Sequence, residues 1–295
     1  MKTKLKLITC LFTFIFLVFS VVAAIAVWIW FFAMPQPQPV TKTLFKGINY
    51  QREIRTTPRT MVIHIITVDL REKGIKFLVT PGDPKQKLPL QARTTGKFLK
   101  DFSVQLAVNG DGFQPWNLST LFDYYPHNGQ KVNAIGFAAS EGIAYSQDTD
   151  NEPTLYISQN NKASFNIQRG KLYNAISGNL QIVRGKKIVS GLPDDIEPRT
   201  AYALDRANRH LMIIVIDGRQ PHYSDGATLR ELAQIIIDHG GYNAINMDGG
   251  GSSTLVIEGK FGFPTLLNRP INHRIPGNQR PVGNHLGIYA KPVEP

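Results

Sequence analysis

The stretch 246-NMDGGGSSTLVIEG-259 sets three consecutive glycines behind an aspartate and ahead of two serines, between two short apolar runs. Bare backbone at Gly249, Gly250 and Gly251 lets a ligand approach the main chain and lets several N–H groups point one way. Such a nest suits an anion, phosphate above all. A tight hairpin turn into 254-TLVIE-258 accounts for the same glycines without any ligand. The pattern is neither a G-x-x-x-x-G-K phosphate loop nor a G-x-S-x-G nucleophile elbow. Asp248 reads as a general base, a nucleophile or a metal ligand, or else as an Asx turn capping the glycines. Ser252 and Ser253 read as ligand contacts, since no local base marks either as a nucleophile.

Immediately upstream, 228-TLRELAQIIIDHGG-241 carries apolar residues at helical spacing, and Gly240 and Gly241 are placed to end the helix. Thr228 and Glu231 have capping-box spacing, which explains Glu231 without a ligand, although it also stands as a candidate binding residue. The helix lies between 210-HLMIIVI-216 and 243-NAINM-247, an order that predicts a right-handed crossover joining two parallel strands. Asp217 follows the first strand and Asp248 the second, so both carboxylates are expected at one sheet edge, where α/β sheets bind ligands. Arg219, in 217-DGR-219, is suited to a planar fork on phosphate or to pairing with Asp217.

Short β-rich runs dominate the rest: 61-MVIHIITVDL-70, 75-IKFLVT-80, 103-SVQLAVN-109, 154-TLYIS-158 and 201-AYAL-204. A second helix is predicted near 91–102. The expected class is α+β: one strand-rich domain with a mixed sheet and a few helices, spanning 41–295. Within it, 107-AVNGDGFQPW-116 ends a strand with Asn109, Gly110 and Asp111 and continues into Phe113 and Trp116, suited to stacking on a pyranose. A plain turn with core aromatics accounts for the same residues. Arg199 enters a strand, an unusual place for an arginine unless it is exposed or paired. The tail 268–290 carries Arg269, Arg274, Arg280, two histidines and Asn284 among turn residues, which fits a basic flap over an anion or a solvated loop.

The N-terminus reads differently. After the basic residues of 1–7, the run 8–34 holds no charge and exceeds the roughly 20 residues needed to cross a bilayer. It also exceeds a signal-peptide core, so an uncleaved anchor is favoured over a removed signal. Trp28 and Trp30 suit the interface, and Lys2, Lys4 and Lys6 place the N-terminus in the cytoplasm, with the remainder periplasmic or extracellular. The segment 35-PQPQPV-40 is a short, stiff linker. Cys10 is the single cysteine and lies inside the run, so the exported part holds no disulfide and no cysteine nucleophile. The net charge is +11, and +8 with the three N-terminal lysines set aside, which favours anionic partners such as phosphorylated glycans or lipid head groups. An exported domain without a binding motif is a poor fit for nucleic acid. The seven histidines show no metal spacing, so no cofactor is required; a divalent cation on Asp217 or Asp248 is the one metal expectation left open.

Taken together, AVNGDGF (107–113), RTAYAL (199–204), the run from Ile214 to Gly259 and RPVGNHLGIY (280–289) resemble the phosphodiester glycosidase family over about 100–290. One departure stands out: the family has a glycine–aromatic pair close behind the NG, whereas here Asp111 intervenes. The resemblance implies cleavage of a sugar-1-phosphodiester at the anomeric carbon, with a phosphorylated glycan or sugar phosphate as substrate. Glycoside cleavage passes through an oxocarbenium-like state. Here the leaving group is a phosphate monoester, with a second pKa of about 6, and departs with little protonation. Cations and N–H donors on the phosphate then matter more than a proton donor. Asp248 is therefore expected as the principal catalytic carboxylate and Asp217 as its partner or orienting group. Arg199, Arg219 and the 249–251 amides are expected on the phosphate, with Asn109, Gly110, Ser252, Ser253, Glu231, Arg280 and Asn284 as further binding candidates. A non-catalytic protein that holds anionic cell-envelope polysaccharide is the competing reading.

Overall fold

The nearly continuous apolar run at 61–70 is accounted for by cover on both faces of its sheet. In the computed structural model, which describes residues 2–32, 35–120, 123–147 and 151–293, it forms the strand Met61–Asp69. Met61, Ile63 and Ile65 point to one core, while Ile66 and Val68 on the opposite parity point to another. Ala33 and Met34 of the expected anchor lie outside the described residues.

This strand belongs to an eight-stranded sheet ordered Val40–Phe45, Ile48–Arg55, Met61–Asp69, His210–Ile216, Arg199–Leu204, Asn243–Asn246, Leu180–Arg184 and Lys187–Ile188. One face packs on the helix Leu229–Asp238, burying Leu229, Leu232, Ala233, Ile235 and Ile236. Thr228 and Glu231 form the expected capping box, a device whose loss typically costs about 1 kcal/mol. The other face packs on a second sheet ordered Pro264–Leu266, Leu255–Glu258, Leu106–Asn109, His285–Tyr289 and Lys76–Val79. The helix Thr95–Phe102 covers the far side of that sheet through Phe98 and Leu99. The order is therefore helix, sheet, sheet, helix, with the largest core between the two sheets. A further five-stranded sheet, drawn from 138–177, adds Leu155, Ile157 and Ile176 to that core.

The expected crossover is corrected in one respect. His210–Ile216 and Asn243–Asn246 do run parallel, but Arg199–Leu204 lies between them and pairs antiparallel with both. Every named strand pair is antiparallel, so the sheet is not mixed among its described neighbours. The consequence drawn from the crossover survives. Arg199 pairs with Ile216, Ala201 with Asn246, and Met247 N–H donates to Thr200 O, so Asp217 and Asp248 leave the sheet at one rim.

The same rim receives the linker. Val40 lies on the cross-strand line Arg52, His64, Val215, Thr200, two residues short of Asp217. Gln36 Nε2 donates to Tyr223 O at 3.4 Å. Farther back, the helix Lys2–Phe32 contains the apolar span Ile8–Ile29, long enough to cross a membrane, with its side chains exposed.

Candidate active site

The rim holds a cavity of about 290 Å³ lined by Gly112, Phe113, Trp116, Ile135, Asp248 and Arg280. Six residues from four segments meet there because the two sheets converge at this edge. Asp248 N–H donates to Gly110 O at 3.1 Å, and Gly110 N–H donates to Asn284 O at 3.0 Å, joining the end of the first sheet to the start of the 280–289 segment.

Asp248 is the carboxylate that faces the cavity. Its carboxyl accepts from the Ser252 hydroxyl and the Gly249 amide, yet burial outweighs these and pushes its pKa above the ordinary carboxylate range. The charge on Arg280 opposes that rise. Arg280 Nη1 donates to Ser252 Oγ at 3.2 Å and its Nε to Asn272 Oδ1 at 3.1 Å, while its guanidinium lies 5.4 Å from the Trp116 ring centroid. Desolvation of this guanidinium makes an anion in the cavity a favourable companion. A Cβ at 251 would sit 2.5 Å from Arg280 Nη2, so a side chain there displaces the guanidinium.

The glycine amides are less available than the sequence suggested. Gly250 N–H is engaged by Pro198 O at 2.9 Å, and Gly249 N–H by Asp248 itself. The tight turn Gly250–Ser252 also directs the Ser252 and Ser253 amides inward, onto Gly249 O and Gly250 O. Gly250 adopts φ +58°, a left-handed conformation that favours glycine and brings the turn against Arg219. The nest is thus mainly a device for seating Asp248, with the Gly251 amide the remaining donor of the three.

Asp217 has a different environment. It is 1% exposed; Oδ1 accepts from Asn268 Nδ2 at 3.0 Å and Arg269 N–H at 2.9 Å. Its Oδ2 accepts from Tyr223 OH at 3.1 Å and lies 3.1 Å from His64 Nε2, whose Nδ1 meets Tyr50 OH at 2.9 Å. With four partners it orients the rim and does not line the cavity.

The other candidates divide in the same way. Asn109 is fully buried and fully engaged: Oδ1 accepts from Thr200 Oγ1 at 2.9 Å and Thr254 N–H at 3.0 Å, and Nδ2 donates to Asp248 O at 2.7 Å. It positions Asp248. Asn284 Oδ1 accepts from Asp111 N–H at 2.8 Å. The intervening Asp111 is buried, receiving Gly112 N–H at 2.7 Å and Gly136 N–H at 2.8 Å, so it shapes the cavity wall from behind. Arg199 is not brought to the cavity. Its Nε donates to Ala227 O at 2.9 Å and its Nη2 to the Asp195 carboxylate at 2.8 Å, because strand parity turns it to the helix face. Glu231 is held by Thr228 and Arg59. Arg219 pairs with Glu197 at the rim, next to Gly250. Ser253 is buried beside the loop, its carbonyl accepting from Asn268 Nδ2 at 3.0 Å.

Residues that sequence reasoning missed are His64, Tyr223, Asn268, Asn272 and Ile135. His64 was visible as the one ring nitrogen donor inside an apolar strand. The others lie in turns whose partners are distant in the chain. No group of three His, Cys, Asp or Glu side chains has metal-holding geometry among the described residues.

Comparison with known proteins places these features. A family model described as phosphodiester glycosidase matches residues 70–289. The bovine N-acetylglucosamine-1-phosphodiester alpha-N-acetylglucosaminidase is 37% identical over 78 residues, 26% of this chain and 13% of that protein. A prophage-derived uncharacterized protein of Bacillus subtilis, YomE, is 25% identical over 247 residues, 73% of this chain and 36% of that one. This chain therefore spans well under half the length of both curated relatives. Among solved structures, the zebrafish N-acetylglucosamine-1-phosphodiester alpha-N-acetylglucosaminidase catalytic domain, auto-inhibited by its pro-peptide, superposes with a TM-score of 0.60 at 21% identity, covering 86% of this chain and 89% of that one. A hypothetical protein from Synechocystis gives 0.64 at 15% identity, with 86% and 64% covered. Both structural likenesses show the fold.

Proposed function

The chain belongs to the phosphodiester glycosidase family, and from that premise we propose that it hydrolyses the anomeric bond of a sugar-1-phosphodiester in cell-envelope or extracellular glycan metabolism, held at a membrane by its N-terminal helix. The observation that carries this reading is the meeting of Asp248, Arg280 and Trp116 on one cavity. Each supplies what the reaction needs. Trp116 and Phe113 offer apolar faces to a pyranose ring. Arg280, half-desolvated, draws the phosphate and stabilises the charge that grows on it as the C1–O bond breaks. Asp248 accepts the proton of the water that attacks C1, or attacks C1 itself.

In the hydrolytic form, water oxygen bonds to C1 and the C1–O bond to phosphate breaks, its electron pair remaining on the phosphate oxygen. The water proton passes to Asp248, and the products are a free sugar and a phosphate monoester. A second carboxyl acid is not needed for so good a leaving group. This agrees with a cavity whose lining includes one carboxylate, while Asp217 is committed to the scaffold. The test is Asp248→Asn assayed on a soluble chromogenic sugar-1-phosphodiester: turnover is lost while folding and glycan binding persist. Wild-type protein that binds anionic polysaccharide but cleaves no such diester would instead support the assembly role.

A further inference from the structure

The rim that carries the cavity also receives the chain from the apolar helix. Gln36, whose side chain bonds Tyr223 O, lies four residues beyond the end of the helix at Phe32. Four residues reach at most about 14 Å when fully extended. Tyr223 in turn holds Asp217. If the helix spans a bilayer, the site rim is therefore confined to the membrane surface by chain length alone.

The surface around the cavity mouth suits that location. Trp116 (50% exposed), Leu118 (46%), Ile196 (44%) and Ile275 (37%) stand out from three separate segments, the first two residues sharing one. Each is tied to the site: Trp116 under Arg280, Leu118 two residues on, Ile196 beside the Glu197–Arg219 pair, and Ile275 on the turn whose Asn272 holds Arg280. Apolar tips interleaved with arginines match an interfacial layer of acyl chains and anionic head groups. The opposite end of the second sheet provides a contrast. The hairpin between Leu255–Glu258 and Pro264–Leu266 runs away from the rim and exposes Phe261 by 93%.

We propose that the cavity opens onto the outer leaflet of the membrane that holds the helix, and that its substrate is a sugar phosphodiester whose second alcohol is a membrane lipid. The orientation rests on the linker contact and the rim; the bond cleaved rests on the function proposed above. Water adds to C1, the electron pair of the broken C1–O bond stays with phosphate, Asp248 takes the proton, and the lipid retains the phosphate monoester while free sugar departs.

Trp28, Trp30 and Trp116 are the three tryptophans, so a W28F/W30F full-length chain reports on Trp116 alone. Reconstituted in phosphatidylcholine vesicles with nitroxides on shallow acyl carbons, its emission is quenched. A second full-length chain, W28F/W30F/W116F/F261W, is not quenched under the same conditions. Unquenched Trp116, or quenching of both probes alike, overturns the orientation. For substrate class, the same sugar phosphate is offered on a phospholipid in the vesicles and on methanol in solution, at equal bulk concentration. Turnover of the lipid diester is at least tenfold faster, and L118D/I196D removes that advantage while leaving the methyl diester rate unchanged. Equal rates in the unaltered chain overturn the lipid assignment, and an advantage that survives L118D/I196D overturns the part given to the apolar rim. Quenching of Trp116 with neither diester cleaved leaves the orientation standing and removes the hydrolase reading.

Discussion

Asp217 and Asp248 occupy equivalent places in the sequence, each directly after an apolar strand and directly before a glycine, and the sheet delivers both to one rim. Their environments nonetheless diverge. Asp217 receives three donors and the ring of His64 in a buried site, whereas Asp248 has one hydroxyl, one amide and an open side toward a cavity. The difference arises from what crosses the rim above each strand: 268–269 and Tyr223 close over Asp217, while Trp116 and Arg280 stand apart over Asp248. A carboxylate with every lone pair engaged holds structure; one left short of donors and desolvated is available for chemistry.

Four experiments break or sharpen this contrast. Asp248→Asn lowers turnover of a soluble sugar-1-phosphodiester about 10²–10⁴-fold, the range for a lost general base. Because burial raises the Asp248 pKa in the folded state, its ionisation weakens the fold as pH rises through that pKa. The same substitution therefore leaves the melting temperature at pH 7 unchanged or higher. A fall in stability without loss of turnover would make Asp248 a second Asp217. Asp217→Ala has the reverse profile: it strands His64, Tyr223 and Asn268, costs about 3 kcal/mol in a denaturant titration, and leaves turnover per folded molecule within about tenfold.

Arg280→Gln lowers kcat/KM about 10²-fold through lost phosphate stabilisation. It also removes a charge that holds the Asp248 pKa down, so the acid limb of the pH–rate profile moves to higher pH. An unmoved acid limb would separate Asp248 from the rate-controlling ionisation. The last test bears on stability alone, a purely structural titration in the second sheet. His285 is buried against Phe98, and burial, aided by the charge on Arg93, depresses its pKa to about 3. A depressed histidine pKa contributes stability above the unfolded value of about 6.5 that is lost as pH falls toward 3, by about 1.4 kcal/mol per pH unit. Urea midpoints between pH 7 and 4 measure the slope, and His285→Gln flattens it.

How much of this was legible in the sequence follows from the range of the interactions. The helix at 229–238 and its cap were readable because their partners lie three residues apart. The strands at 61–69 and 210–216 were readable as apolar runs, and the shared rim as a strand–helix–strand order. The strand at 199–204 was readable too, but its place between the other two was not, since antiparallel insertion between two parallel strands leaves no local mark. Arg199 was misjudged for a related reason: parity, set by pairing with Ile216, turns it toward Asp195 and Ala227. Arg280 was one candidate among several tail arginines. What singles it out is contact with Trp116 and Ser252, residues 164 and 28 positions away, and no periodicity encodes such a meeting.

Asn109 carries a consequence of its own. Its single amide group grips a hydroxyl from the eight-stranded sheet, an amide from the five-stranded sheet and the carbonyl of Asp248. It acts as a gauge between the two layers, so any change in their separation is transmitted to the reactive carboxylate. Enlarging or shrinking an apolar side chain deep in the interlayer core, far from the cavity, would detune the reaction with no residue of the cavity altered.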